Sequence, residues 1–507
     1  MKYIFLIIFS ICGLVTYTQK VDNIWMAGYN SVDGYETIID HWFGISKFDF
    51  NQQPIQLTRD SLGIQFGRSN STISNFNGDN ILFYCNGKEV RNGLDEIIQN
   101  GDSLGYINGG WYVSNYGVPL LMQHHLILPS PINGNEYDII HCFVDSFHDQ
   151  VGLNIGGKKL LLSSVSTVSN NLHGEIVSKN QIISNEENSI CIAAVRHGNG
   201  CFWHVVYNKA NTNCYDVLIY DGSFFTSNTY CGGAISRRGY LVPERFSPNG
   251  TIFASSTANN NSINIFNFDR CTGELNLKES FKIPELDSLH SYCSSLEFSP
   301  NSRFLYVFTE RRIYQFDVSS PNVQPTKRVI AISDDSFGCP LGMYWLQSQL
   351  APDGKIYANS GNTNYCISVI NTPDELGDSC HFILNYELPT VIDGLPYYPN
   401  YRLGALAGSG CDTLTAINDK AEKEKILKVF PNPAIDAVTI DYGYTNWEKG
   451  DVDLEITNSA GELIYSQHLP MYSGFQRLDV TSYANGIYTV AIKRGNTIVA
   501  TSQFVKK

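Results

Sequence analysis

Phe246-Ser247-Pro248-Asn249-Gly250-Thr251-Ile252-Phe253-Ala254 has two further copies down the chain. They are Phe298-Ser299-Pro300-Asn301-Ser302-Arg303-Phe304-Leu305-Tyr306 and Leu350-Ala351-Pro352-Asp353-Gly354-Lys355-Ile356-Tyr357-Ala358. The prolines at 248, 300 and 352 stand 52 residues apart both times. In each copy an apolar residue ends one strand, a Pro-Asn/Asp-Gly type turn follows, and apolar or aromatic residues open the next. Pro fixes φ at the turn entry, and Asn, Asp and Gly tolerate the left-handed backbone of a tight reversal. The pattern reads as a hairpin.

Two more strand-like runs follow each hairpin: Ile263 to Asp269 and Leu275 to Ile283, then Ile313 to Asp317 and Arg328 to Ile332, then Ile367 to Ile370 and Phe382 to Tyr386. Four short strands per unit of about 50 residues is the blade of a β-propeller. Weaker copies stand upstream at Asn77-Gly78, Asn133-Gly134 and Asn199-Gly200, so the glycine-equivalent positions are 78, 134, 200, 250, 302 and 354. Strand-like runs at both ends, Ile24 to Ala27 with Trp42 to Phe48 and residues 380 to 403, lack the turn. They are expected to complete a seventh blade together, because a closed ring leaves no exposed edge. Six or eight blades are the alternatives. A β-sandwich would not repeat at a fixed 52 residues.

The composition agrees. In 507 residues, 43% are hydrophobic, 12% aromatic and only 17% charged. That excludes a disordered chain and a coiled coil. The 49 acidic against 35 basic residues give a net charge of −14, which excludes a basic nucleic-acid-binding surface.

The N-terminus reads as a signal peptide over residues 1–18. Lys2 supplies the positive start, Tyr3 to Val15 the apolar run, and Thr16 and Thr18 the small residues before a cleavage that leaves Gln19 first. No other stretch has the length of a membrane helix. Twelve cysteines remain after Cys12, none with zinc-site spacing. An exported chain permits disulfides, and Cys366 with Cys380 is the suggested pair.

Beyond Tyr401 the character changes. Residues 411–425 read as a linker between a propeller over 19–410 and a small module over 426–507. There Val438 and Ile440, Leu454 and Ile456, Leu478 and Val480, and Tyr488, Val490 and Ile492 alternate with polar residues. Roughly seven strands in about 80 residues point to an Ig-like β-sandwich.

Two resemblances enter here. The repeated hairpins, with Asn80-Ile81-Leu82-Phe83-Tyr84-Cys85-Asn86-Gly87 and Gly394-Leu395-Pro396, resemble the WD40-like (PD40) propellers exported by Bacteroidetes. The final module resembles the type A C-terminal sorting domain of the type IX secretion system. The residues that match are Val429-Phe430-Pro431-Asn432-Pro433, Asn458-Ser459-Ala460-Gly461, Asn485-Gly486-Ile487-Tyr488 and Phe504-Val505-Lys506-Lys507. Pro431, Asn432, Pro433, Gly461, Gly486, Tyr488 and Lys506 are therefore the expected sorting signal, with Gly461 and Gly486 expected at positive φ in hairpin turns. The resemblance implies export through the periplasm by the type IX machinery, with the product secreted or held on the outer cell surface.

Chemistry is harder to find. There is no G-x-S-x-G, HExxH, P-loop, G-x-G-x-x-G or calcium loop. No catalytic residue, metal ligand or cofactor is assigned. His124-His125 would place its rings on opposite faces of a strand. His141, His148, His197 and His204 are candidates for a channel mouth, and Asp334-Asp335 for a paired carboxylate. Trp111-Tyr112, Tyr344-Trp345 and Tyr397-Tyr398 lie near expected loops, where aromatics stack on sugars or fill a partner's pocket. The expected role is a binding scaffold for glycan or protein. The alternatives are an extracellular glycan hydrolase or lyase with a channel site, and a structural surface adhesin.

Overall fold

The structure is a computed structural model. It describes residues 19–31, 43–105, 122–149, 152–222, 225–238, 243–257, 261–288, 292–333, 344–361, 363–411, 427–430, 432–441, 452–469, 475–495 and 497–507. The chain divides into two compact units, 1–414 and 415–507. Among the described residues no helix is long and apolar enough to cross a membrane.

The described part of the first unit holds seven antiparallel sheets, each made only of strands consecutive in the chain. In order they span 24–60, 71–92, 125–184, 193–231, 244–282, 293–332 and 345–392. The first two have three strands and the rest four. The six expected hairpin turns fall one per sheet, from the second sheet to the seventh, always between its first and second strands. Among the described residues the first sheet shows no such turn.

The turn chemistry is local. Gly250 N–H donates to Ser247 O (2.7 Å), and Ser247 N–H donates to Ile252 O (2.9 Å). The Asn249 side chain accepts from Thr251 N–H at 3.0 Å. The next copy repeats this, with Asn301 accepting from Arg303 N–H at 2.9 Å. Gly78, Gly200, Gly250 and Gly354 all have φ between +73° and +80°. Ser302 occupies the same left-handed region at +64°, which costs a side chain strain. Its hydroxyl is held by Asn249 N–H of the preceding sheet's turn at 3.0 Å. Gly134 stands outside this set, because its turn is one residue longer and closes from Ser130 N–H to Glu136 O.

The core lies between sheets. Within a strand the buried residues do not simply alternate, since the first strand of each sheet is buried throughout nearly its whole length. Trp25, Trp203 and Trp345 are fully buried, one each in the first, fourth and seventh sheets.

The two chain ends do not share a hydrogen-bonded sheet as the sequence suggests. Residues 24–60 form their own sheet, because Gln56–Asp60 supplies its third strand. That strand is polar and mostly exposed, which hides it from hydrophobic patterning. Phe382–Ile392 instead completes the seventh sheet. The first and seventh sheets still adjoin: the Ser46 and Thr390 hydroxyls are 2.8 Å apart, and the Trp25 and Tyr357 ring centroids 5.9 Å.

The Cys366–Cys380 pair does not form. Cys380 is a free buried thiol, and Cys366 is disulfide-bonded elsewhere. The ladder sets Cys366 opposite Glu387, while Cys380 lies past the other end, where Ile370 meets Phe382. Cys214 bonds to its direct cross-strand neighbour Cys231, and Cys271 to Cys411.

The second unit has seven described strands in a three-stranded and a four-stranded sheet. Val438, Ile440, Leu454, Ile456, Leu478, Val480, Tyr488, Val490 and Ile492 form its core, as their alternation requires.

Candidate functional site

In the first unit the place to look is where the sheets converge. Arg245, Glu297 and Gln349 each stand three residues before a repeat proline, in one column of the repeat. The fold brings them together. The Arg245 guanidinium lies 3.4 Å from a Glu297 carboxylate oxygen and donates to the Gln349 side chain at 3.3 Å. It also donates to Leu296 O (3.1 Å) and Ser348 O (2.9 Å). Glu297 accepts from Phe298 and Leu350 N–H. Burial pushes the Glu297 carboxyl up, and Arg245 pulls it back. An arginine bonded from all three of its nitrogens ties three sheets together. The neighbouring Glu244 is fully buried, and burial pushes its carboxyl well above the ordinary carboxylate range.

Beside this cluster runs the segment 393–403, which has no ladder of its own. The Tyr398 hydroxyl donates to Thr72 O and accepts from Thr72 N–H, both at 2.9 Å. Tyr401 donates to Ile127 O at 2.6 Å. Leu395 and Tyr398 N–H donate to the side chains of Gln347 (3.1 Å) and Gln349 (3.2 Å). Asn400 donates to Pro248 O, and Arg402 is ion-paired with Asp22. The Arg245 guanidinium sits 4.4 Å over the Tyr397 ring. One segment thus bonds to the second, third, fifth and seventh sheets, and to Asp22 just ahead of the first. The cavity it leaves, lined by Gln123, Arg245, Ser295, Gln347, Leu395 and Tyr397, is about one water in size.

The sequence candidates fare as follows. Trp345, Tyr397 and Tyr398 are core residues, 0%, 6% and 3% exposed, Trp345 on a strand and the two tyrosines in the irregular segment 393–403. Trp111-Tyr112 and Asp334-Asp335 lie outside the described residues, as does the side chain of His148. The His124 and His125 rings are not on opposite faces; their centroids are 5.1 Å apart, edge to face, because His124 precedes the strand His125–Pro129. His125 pairs across the ladder with His141, and each bonds a serine, Ser69 and Ser163, at 3.1 Å. Burial pushes His125 well below its ordinary value and His141 down to about 3. His197 and His204 stack at 4.9 Å and donate to the Cys271 and Arg270 carbonyls, both at 2.9 Å. Burial pushes His204 to about 3 as well. His125 Nε2 and His204 Nδ1 are buried without a hydrogen-bond partner among the described residues. Among the described residues no group of three His, Cys, Asp or Glu is placed to hold a metal ion.

In the second unit Asn432, Gly486, Tyr488 and Lys506 of the expected signal residues lie along the last strand. The Asn432 side chain accepts from Val505 N–H (2.9 Å) and donates to Gln503 O (3.1 Å), copying a strand partner. Ala434 N–H donates to Val505 O, and Lys507 N–H donates to Ala434 O. Gly486 pairs with Lys506, which is buried, and Tyr488 stacks on Phe504 at 5.3 Å. The segment 432–434 therefore covers part of the free edge of the last strand. Gly461 has φ +79° in a tight turn, as expected. Gly486 does not; it begins an extended strand, because the chain reaches it from the other sheet and not through a hairpin. Pro431 lies outside the described residues.

This module is recognisable. Residues 428–507 match the secretion system C-terminal sorting domain. Such a tail directs export by the type IX secretion system to the cell surface or medium. No curated protein matches the chain. Among solved structures the chain is similar to a protein from Lactobacillus plantarum, at 12% identity over 73% of this chain and 98% of that one, TM-score 0.44. It is also similar to the β-propeller domain of Swd1 from Myceliophteria thermophila, at 12% identity over 69% and 93%, TM-score 0.37. A third is the periplasmic gluconolactonase of Pseudomonas aeruginosa, at 11% identity over 74% and 98%, TM-score 0.37.

Proposed function

We propose that the protein is a seven-bladed β-propeller made by a Bacteroidetes cell and carried out by an Ig-like sorting domain. In this reading residues 1–18 are a signal peptide, Pro431 to Pro433, Gly461, Gly486, Tyr488 and Lys506 belong to the sorting signal, and the propeller is a scaffold that binds glycan or protein. Binding falls to the loops at the blade ends, not to the axis. The observation that carries this is the segment 393–403. In this reading it occupies the place where a channel ligand would sit, held there by Thr72, Ile127, Gln347 and Gln349. A rigid ring with a sealed centre and many loops suits recognition better than turnover.

The test is a glycan array with the secreted protein, run beside polysaccharide turnover assays. Saturable binding without turnover is the expected result. Turnover abolished by substitution of one His or carboxylate at the axis overturns it. Deleting residues 428–507 in the native host is expected to abolish appearance outside the cell.

A further inference from the structure

Tyr344 stands just ahead of the first strand of the seventh sheet and is half-buried. The Arg311 guanidinium lies 5.2 Å from its ring centroid and donates from Nη2 to its hydroxyl at 3.2 Å. The Tyr344 carbonyl accepts from Gly361 N–H (3.2 Å), and the Gly361 carbonyl accepts from Arg68 Nη2 (3.2 Å). From the sixth sheet, Glu310 precedes Arg311 and accepts from the Tyr292 hydroxyl. Burial pushes the Tyr292 phenol up, Glu310 adds to the push, and Arg68 opposes it. The contacts therefore close a circuit, from Arg68 through Gly361, Tyr344, Arg311, Glu310 and Tyr292 back to Arg68. All six of these residues are half-buried. Each stands where a first strand begins or a second strand ends, so the circuit lies at the end of the sheets opposite the proline turns.

Arg68 is a donor held in place. Its Nε is paired with Asp393 at 3.4 Å and its Nη2 is fixed by Gly361, yet Nη1 has no hydrogen bond among the described residues and the side chain is 31% exposed. Arg68 is matched by Asp393 and Arg311 by Glu310, so the circuit carries no excess charge that calls for an ionic ligand. Donors and acceptors spaced around two tyrosines match the vicinal hydroxyls and the C–H face of a pyranose. We propose that Arg68, Tyr292, Glu310, Arg311 and Tyr344 form a saccharide site that takes an uncharged pyranose residue of a glycan. The inference rests on the scaffold reading above and deepens it, naming the ligand class and the place. Arg68 Nη1 and Arg311 donate to sugar hydroxyls, Glu310 accepts from another, and the tyrosines pack against the ring.

The experiment is equilibrium binding of the exported full-length protein to fluorescently tagged hexasaccharides of glucan, mannan, galactan and xylan, with galacturonan beside them. One of the neutral chains is expected to bind more tightly than galacturonan. Glu310→Gln and Arg311→Gln should each weaken that binding by about tenfold or more, because each removes a hydrogen bond to a charged group. Saturating oligosaccharide should also slow phenylglyoxal labelling of Arg68 and Arg311, read by mass spectrometry on the unaltered protein, a measurement that needs no variant to fold. Glycan binding that survives both substitutions, with labelling unslowed, overturns the site and leaves the scaffold reading standing. Galacturonan bound more tightly than every neutral chain overturns the uncharged ligand. Failure to bind any of these chains overturns the site and the glycan half of the scaffold reading together.

Discussion

Replacing Tyr398 by Phe removes one oxygen from the segment 393–403, which bonds to sheets far from it in the chain. That hydroxyl is the partner of both the N–H and the C=O of Thr72. Thr72 is fully buried on the first strand of the second sheet, opposite Tyr84 in the ladder, and its N–H and C=O turn to Tyr398. No water reaches the stranded groups, so each costs its desolvation penalty, about 1–3 kcal/mol. The expected loss is about 3 kcal/mol, or a Tm lower by about 4 °C for a unit of this size. Denaturant unfolding followed by tryptophan fluorescence suits the measurement, because Trp25 is buried with its ring centroid 6.1 Å from that of Tyr398. Tyr401→Phe strands a single carbonyl, that of Ile127, and should cost about half as much. Tyr386→Phe, whose hydroxyl has no hydrogen bond among the described residues, should cost less than about 0.5 kcal/mol. If Tyr398→Phe unfolds with the same midpoint as the control, the segment is not holding the sheets and the sealed-centre argument fails.

Acid should select against the buried imidazoles: His141 is held at about 3 when folded, against an ordinary 6.5. Its neutral form stabilises fully above the unfolded value, and the benefit is lost as pH falls from about 6.5 toward 3. The stability of His141→Gln relative to wild type should therefore rise by about 3 kcal/mol between pH 7.5 and 4, and a gap that does not change with pH refutes the assignment. Two glycines separate crowding from backbone strain. A Cβ at Gly157 would lie 1.8 Å from Asn188 Oδ1, whereas one at Gly354 meets nothing despite φ +80°. Gly157→Ala should cost about 3 kcal/mol and Gly354→Ala about 1 kcal/mol in denaturant titrations. Asn432→Ala removes both bonds to the last strand and should destabilise the sorting module by about 1 kcal/mol, with less protein reaching the medium in a secretion assay.

The repeat was legible because its turns are local chemistry. Pro, Asn, Asp and Gly at 248 to 250 and 352 to 354 set the backbone themselves, so the hairpins and their 52-residue spacing needed no tertiary information. The alternating core of the final module and its sorting motifs were legible for the same reason. The histidines and aromatics misled, since whether Tyr398 meets solvent or Thr72 depends on contacts more than 300 residues apart in the chain. The convergence of Arg245, Glu297 and Gln349 left a trace as one repeat column, but a column of three different polar types has meaning only once the sheets are brought face to face. Sequence alone determined the unit, its repetition and the export tail, because each is written in neighbouring residues. Only the tertiary structure decided that Gln56–Asp60 joins the first sheet as its third strand, that the chain's own segment 393–403 bonds to sheets far from it in the sequence, and that Asn432 clasps the terminal strand, because those outcomes rest on distant groups satisfying one another away from water.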